Sequence, residues 1–357
     1  MIDDKMVIFG AQGYALGTEK AISVLYPARE IPCFMVSELS YNAPVLDGIP
    51  VREISSFSDS LTGADKDQIE VIIATPENVQ SEIEGILERY GFNHRTRLTA
   101  SFWEDLMCEY HVKLGRFLPL AELPVGEKKP SMSIFIAKHH KDRSLESDVI
   151  LPSFMHPIQV GAALTEERVA DILDNEGENI SSRNGNYSEL TGLFWMCKHL
   201  PNTDYVGLCQ YRRMMMFSDE ELLRLKDNDV DVVLPYPLMY DPDINAHHKR
   251  YLKDADWEAL LVALREIHPE YADRFDEVLG QQFLFNYNVI LAKREVLQEY
   301  CEWLFPILMR VEELSVPKGC DRADRYIGYM AETLETLYFM INEDRLKIAL
   351  KGCNMLV

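Results

Sequence analysis

The sequence predicts an α/β protein built from two domains. Short apolar runs of strand length alternate with amphipathic runs of helical length from Met6 to Met340. The chain has 357 residues, 47% of them hydrophobic and 26% charged, which is ample material for two ordinary cores. Between the two series lies Leu118-Pro-Leu-Ala-Glu-Leu-Pro-Val-Gly-Glu-Lys-Lys-Pro130, whose prolines and charges read as a linker within 111–131. The expected domains are therefore 1–125, linker included, and 132–357, the second with a mixed sheet.

The first domain opens with the apolar strand Met6–Phe9. A turn containing Gly10, Gly13 and Gly17 follows, then a helical pattern to about Leu25. Strand, glycine turn and helix begin a Rossmann-like unit, in which backbone N–H groups can face a phosphate. The spacing Gly-x-x-Gly-x-x-x-Gly departs from the dinucleotide fingerprint, and no acidic residue closes the next strand, Ile31–Val36. Gly10, Gly13 and Gly17 are thus either a cofactor turn or a purely structural one. The segment Leu46–Val51 follows, then a buried strand at Ile69–Thr75, a helix at Pro76–Tyr90, and a last strand at Leu98 and Thr99. The turn, Asp47-Gly-Ile-Pro-Val51 and Ile72-Ile-Ala-Thr75 resemble the N-terminal domains that precede bacterial sugar-modifying enzymes such as sugar O-acyltransferases.

The second domain starts with strand Met132–Ala137, which runs into the basic cluster Lys138-His-His-Lys-Asp-Arg143. Next come Leu151–Ala163, a polar loop over 171–189 rich in Asn, Ser and Gly, and a helix from Leu190 to His199. A strand over Asp204–Arg213 ends in two arginines, and Val230–Pro235 is another strand. A third basic island, Asn245-Ala-His-His-Lys-Arg250, precedes helices at 254–266 and 270–279. Gln282–Ala292 reads as a strand interrupted by Asn286-Tyr-Asn288, and long helices cover Arg294–Glu313 and Asp321–Met340.

Net charge is −22, which argues against a nucleic-acid binder and against docking on anionic lipid. The N-terminus lacks the basic and apolar regions of a signal peptide, and no apolar run reaches the ~20 residues of a membrane span. Seven scattered cysteines without a Cys-x-x-Cys pair read as reduced thiols of a cytoplasmic protein.

Against that acidic background, the islands 138–143, 212–213 and 247–250 suit a phosphate-bearing ligand, with arginine making forked contacts to oxygens. The 174–188 loop suits sugar hydroxyls, because amides both donate and accept. Asp174, Glu178, Asp321 and Glu332 offer carboxylates for general base work. Phosphate, hydroxyls and a carboxylate together point to an enzyme of nucleotide sugars.

Several motifs in one order carry a further resemblance: Ile158-Gln-Val-Gly-Ala162, Asp174-Asn-Glu-Gly-Glu-Asn-Ile-Ser181, Asn184–Leu190, Tyr205-Val-Gly-Leu-Cys-Gln-Tyr-Arg-Arg213, Tyr287-Asn288, Tyr300-Cys-Glu-Trp-Leu304 and Gly328–Leu334. Over about 132–350 the chain resembles the bacterial capsular and exopolysaccharide glycosyltransferases long known as a domain of unknown function. The resemblance implies a GT-A-like fold and transfer of a hexosyl group, galactosyl or galactofuranosyl, from a UDP-sugar. The acceptor would be a saccharide or lipid-linked saccharide of capsular polysaccharide, exopolysaccharide or O-antigen. Two departures stand out: Gln210 replaces the histidine of a His-Tyr-Arg-Arg pattern, and Thr333 the arginine of a Glu-Arg-Leu pattern.

The expected base is Glu332, with Asp321 second. Donor contacts are expected from Lys138, His139, Gln159, Asp174, Asn175, Asn179, Asn184, Tyr187, Tyr211, Arg212 and Arg213, and acceptor contacts from Asn286, Tyr287, Asn288 and His247. The arginines are expected to replace a divalent metal on the diphosphate, Mn²⁺ or Mg²⁺ being the alternative. Asp229-Val-Asp231 matches Asp-x-Asp but precedes its strand, so it reads as chance. The expected location is cytoplasmic, the inner face of the membrane entering through recruitment to a polysaccharide assembly complex. The competing reading is an NAD-dependent or acyl-transferring sugar-modifying enzyme centred on the first domain.

Overall fold

The computed structural model describes residues 5–40, 42–145 and 149–355. Residues 1–4, on which part of the N-terminal reading rests, and the Cys320 side chain lie outside this description. The chain forms two compact units, Met1–Arg116 with Leu238–Asp243, and Phe117–Pro237 with Ile244–Val357.

The first unit holds β1 (Met6–Phe9), α1 (Gly13–Leu25), β2 (Phe34–Val36), β3 (Val45–Leu46), β4 (Ile49–Glu53), α2 (Ile54–Asp59), α3 (Gly63–Gln68), β5 (Glu70–Ile73), α4 (Glu77–Arg89), β6 (Arg95–Arg97) and α5 (Ala100–Leu114). The sheet order is β3-β4-β2-β1-β5-β6, parallel except for β3, so the winding direction reverses at β1. Thr99 caps α5 rather than closing a strand, because its side chain accepts the Phe102 N–H at 3.1 Å. Helix α5 therefore occupies the start of the expected linker.

The glycine turn is tight for reasons internal to this unit. Gly10 has φ +128°, and a Cβ there would lie 2.7 Å from the Ala74 carbonyl oxygen. A Cβ at Gly17 would meet the Trp103 ring at 2.6 Å, and one at Gly13 would meet Leu238 and Met239 at 3.3 Å. The close approach that each glycine permits is to protein.

The second unit begins earlier than the linker reading expected. Leu120 and Leu123 are buried in its core, Leu118 O accepts from Leu350 N–H, and Gly126 N–H donates to Leu223 O. Prolines give this stretch a linker's composition, but its spaced leucines bind it to the sheet. There follow β7 (Met132–Lys138), β8 (Met155–Gln159), β9 (Ile172–Leu173), α6 (Asn184–Tyr187), α7 (Leu190–Lys198), β10 (Tyr205–Gln210), β11 (Arg213–Met214), α8 (Asp219–Lys226), β12 (Val232–Pro235), β13 (Leu238–Met239, in the first unit), α9 (Ile244–His248), α10 (Asp254–Ile267), α11 (Pro269–Ala272), α12 (Phe275–Leu279), β14 (Phe283–Leu284), β15 (Ile290–Lys293), α13 (Arg294–Leu314), α14 (Tyr326–Ile341), β16 (Ile348–Lys351) and β17 (Asn354–Met355).

The main sheet runs β16-β12-β15-β10-β7-β8-β9, with β11 and β17 beside β10. Only β15 on that path is antiparallel to its neighbours. This is a GT-A-like mixed sheet. Apart from Ser133, strand β7 is apolar over its buried length because both faces are covered. Ile134 and Ile136 face Leu222 and Leu225 on one side; on the other, Phe135 meets Trp195 of α7 edge to face at 6.1 Å.

Two further expectations change. The interrupted strand over Gln282–Ala292 is two strands separated by a loop, and the last helix starts at Tyr326 because Arg325 adopts φ +63°. Cys197 and Cys301 form a disulfide with their Cα atoms 6.5 Å apart, which corrects the reading of all cysteines as reduced. Helices α7 and α13 pack together and bring residues 104 apart into contact, a pairing that spacing does not reveal.

Asp174 illustrates how the polar loop is held. It is fully buried and accepts from Gly161 N–H at 2.8 Å, Ala162 N–H at 3.0 Å and the Ser181 hydroxyl. Asp174→Ala leaves these donors unpaired in the interior, at about 1–3 kcal/mol each. We expect a stability loss of at least about 2 kcal/mol in urea unfolding. A change within about 0.5 kcal/mol, as at an ordinary surface site, would contradict this role.

Candidate active site

The carboxyl ends of β7 and β10 and the amino end of β15 share one edge of the sheet. Ligands of open α/β sheets bind outside such an edge. Four chain segments meet there: 185–189 before α7, Gln210–Arg213 after β10, 285–288 before β15, and Arg325 with the first turns of α14 to Glu335.

Glu332 and Glu189 form the floor. Glu332 Oε1 accepts the Tyr287 N–H at 2.9 Å, and Glu189 Oε1 accepts from Asn288 Nδ2 at 2.7 Å. Both side chains are deep yet only partly covered, so part of each stays within reach of solvent in the recess between these segments. Arg213 lies over the Tyr287 ring, 4.0 Å from its centroid, and donates to Gln210 Oε1 at 3.0 Å. Gln210 Nε2 in turn donates to the Tyr287 carbonyl at 2.7 Å. Arg325 Nε donates to the Ser188 hydroxyl at 2.9 Å.

Ser188, Tyr287, Asn288 and Arg325 all have positive φ, between 50° and 77°. Such backbone costs on the order of 1–3 kcal/mol per residue and persists where the surroundings impose it. Here it turns the Tyr287 N–H and the Asn288 amide towards the two carboxylates.

Burial, and next the charge of Glu189, raise the Glu332 carboxyl to about 8, against the pull of the Tyr287 N–H, Arg213 and Arg325. Burial also raises Glu189, opposed first by the Asn288 hydrogen bond. One turn below Glu332, Glu335 is 1% exposed and its carboxyl is raised well above the ordinary range by burial and then by the other two glutamates. A carboxyl that titrates near neutral pH in a cleft, flanked by guanidinium groups, can move a proton at an anionic substrate.

The structure gathers Glu332, Arg213, Tyr287 and Asn288 from among the expected residues. It adds Glu189, Gln210 and Arg325, which the sequence reading left without a site role. The 185–189 motif contained Glu189, but nothing local marked its carboxylate as distinct from other glutamates. Lys138 and His139 stand at the end of β7, where the His139 N–H donates to Asp142 Oδ2 at 2.7 Å. Asp142 feels the charges of both Lys138 and Arg325, which places this basic loop beside the Arg325 end of the cleft. Arg212 is half-buried in the turn between β10 and β11.

Other expected contacts are occupied within the fold. Gln159 is buried and bridges Glu167 O and Val169 N–H, while Asn184 donates to Ser188 O at 2.7 Å. Asn179 donates to Asn175 O and Gly177 O, closing the loop on itself. Tyr187 is fully buried with its hydroxyl on Glu312, and Tyr211 packs against the core. Asn286 is buried, and His247 is half-buried on α9. Asp321 is exposed in the 3-10 turn packed against α13. Asp229 and Asp231 pair with Lys293 at the opposite edge of the sheet.

Sheet order defines the second unit as a GT-A-like α/β domain, with a cluster of carboxylates at the carboxyl edge of its parallel strands. Residues 133–343 match the family described as a domain of unknown function, DUF4422, and the chain belongs to that family. Among solved structures it is similar to the apo structure of the WbbM bifunctional glycosyltransferase, with a TM-score of 0.54 and 23% identity. That match covers 63% of this chain and 45% of the other, so the chain spans less than half the length of that relative. No curated protein matches the chain. Among the described residues, no helix is long and apolar enough to cross a membrane.

The buried glutamates make stability depend on pH. Glu335 keeps its proton in the folded state where the unfolded chain has lost it, so its contribution falls as pH rises above the ordinary 4.5. Glu335→Gln removes that penalty. Its melting temperature relative to the parent should rise between pH 5 and pH 8, and a pH-independent difference would show that Glu335 is not titrating.

Proposed function

We propose that this protein is a glycosyltransferase that moves a hexosyl group, galactosyl first among candidates, from a UDP-sugar to a saccharide or lipid-linked saccharide acceptor. Capsular polysaccharide, exopolysaccharide and O-antigen acceptors all fit this chemistry. The carrying observation is Glu332, a carboxyl raised to about 8 at the floor of a cleft edged by Arg213 and Arg325. The GT-A-like sheet and the likeness to the WbbM bifunctional glycosyltransferase support the same reading.

In this mechanism ionised Glu332 takes the proton of an acceptor hydroxyl. The hydroxyl oxygen bonds to the anomeric carbon of the donor, whose bond to the UDP oxygen breaks with the electron pair leaving on phosphate. Arg213, Arg325 and Lys138 meet the developing charge, and no step requires a divalent ion. The net charge of −22 disfavours direct contact with anionic lipid, so attachment to the inner membrane face would run through a protein partner in an assembly complex.

Glu332→Gln keeps the acceptor for the Tyr287 N–H but removes the base. Turnover of UDP-galactose should fall by ~10²–10⁴ while UDP affinity, read by calorimetry, is retained. Full turnover would remove Glu332 from this role.

Because the base must be ionised, turnover should rise with pH towards about 8. Glu189→Gln removes a charge that raises Glu332, so the limb should move to lower pH; an unmoved limb would uncouple the pair. Turnover should also survive excess chelator, whereas loss restored by Mn²⁺ would replace the arginines by a metal.

A further inference from the structure

Beside the carboxylate floor lies an aromatic pair that the mechanism does not use. Tyr251, just after α9, stacks on Tyr329 of α14 with ring centroids 4.8 Å apart and planes at 22°. The His247 ring meets Tyr251 at 5.4 Å, inclined by 63°. Tyr251 nevertheless remains 49% exposed. Tyr329 is three residues before Glu332, and residues at that spacing are neighbours on a helix surface. The exposed aromatic stack therefore borders the group that would take the acceptor proton.

The segment carrying Tyr251 is firmly held. His248 is fully buried, and its Nε2 lies 2.8 Å from the Thr333 hydroxyl, one residue beyond Glu332. Leu252 is buried, and the Tyr251 N–H donates to His248 O at 2.9 Å. A half-exposed tyrosine fixed in this way loses little freedom when a ligand covers it. Although one side of it is packed, a large half-exposed aromatic of this kind leaves apolar area open to solvent.

We propose that Tyr251 and Tyr329 form a stacking platform for a sugar ring of the saccharide acceptor. This deepens the glycosyltransferase reading and rests on it. The C–H face of a hexose is apolar and flat enough to cover a tyrosine ring, while its hydroxyl edge stays free to reach Glu332. The alternative occupant, the uracil of the donor, fits less well. Tyr329 lies one turn beyond Arg325, its N–H donating to Arg325 O at 3.3 Å, so the platform borders the basic end as well; what favours the acceptor is the anchoring of the Tyr251 segment through His248 on Thr333, the residue next to the base.

The test is saturation-transfer NMR on the full chain with methyl glycosides of galactose, glucose, mannose and N-acetylglucosamine, and separately with UDP. At least one glycoside should bind the parent, weaken about tenfold with Tyr251→Ala, and recover with Tyr251→Phe, a loss of the size expected for an aromatic contact. UDP binding should be unchanged in both variants. Failure of all four glycosides to bind, or equal binding by Tyr251→Ala, overturns the platform. Loss of UDP binding in Tyr251→Ala overturns the acceptor assignment in favour of the uracil. Failure of UDP to bind the parent overturns the underlying glycosyltransferase reading instead, whatever the glycosides do.

Discussion

The structure around the cleft depends on holding three glutamates close together below solvent. Glu189, Glu332 and Glu335 repel one another when ionised, and burial penalises each charge further. Two of them are clamped by one dipeptide: the Tyr287 N–H serves Glu332 and the Asn288 amide serves Glu189. The left-handed backbone at both residues is the local cost of aiming two donors at two carboxylates from adjacent positions. The arginines complete the balance. Arg213 is oriented by Gln210 and Tyr287, and Arg325 by Ser188. The net result is a carboxyl that changes charge near neutral pH, which ordinary surface glutamates do not do.

The two departures from the family pattern become intelligible in this frame. Gln210 uses both ends of its amide, one on Tyr287 O and one on Arg213. It ties the arginine to the backbone that clamps the base. Thr333 is buried and meets the neutral His248, whose basicity burial lowers to about 3. That contact docks α9 on α14 and sets the position of Tyr251. Both departures thus act on neighbouring groups through short hydrogen bonds.

The polar stretch over 171–189 has a different role from the one its composition suggests. Its polar side chains are satisfied within the protein: Asp174 collects the Gly161 and Ala162 N–H groups and the Ser181 hydroxyl, Asn179 closes its own loop, Asn184 caps the turn at Ser188, and Asn186 and Tyr187 reach Gly319 O and Glu312. A loop lying over a sheet edge must pair its buried polar groups, and this one does so partly within itself and partly with Gly161, Ala162, Gly319 and Glu312. Its contribution to the cleft is Glu189 at its end and Ser188, which receives Arg325.

The sequence by itself determined the α/β class, the strands β1, β5, β7, β10 and β12, and the long helices α13 and α14, because apolar periodicity is local. It also marked Glu332, Arg213 and Tyr287–Asn288, since motif order and the end of an apolar strand are readable along the chain. It misjudged the 118–130 stretch, where composition mimics a linker, and could not see Cys197 meeting Cys301. Only the tertiary structure decided which polar residues face the cleft and which are spent inside the fold. Side chains such as Asp174, Gln159 and Tyr187 have the chemistry of ligand contacts, but their partners lie up to 125 residues away. The pairing of Glu189 with Glu332, across α7 and α14, is likewise a product of packing, and it is what gives an ordinary carboxyl an unusual affinity for its proton.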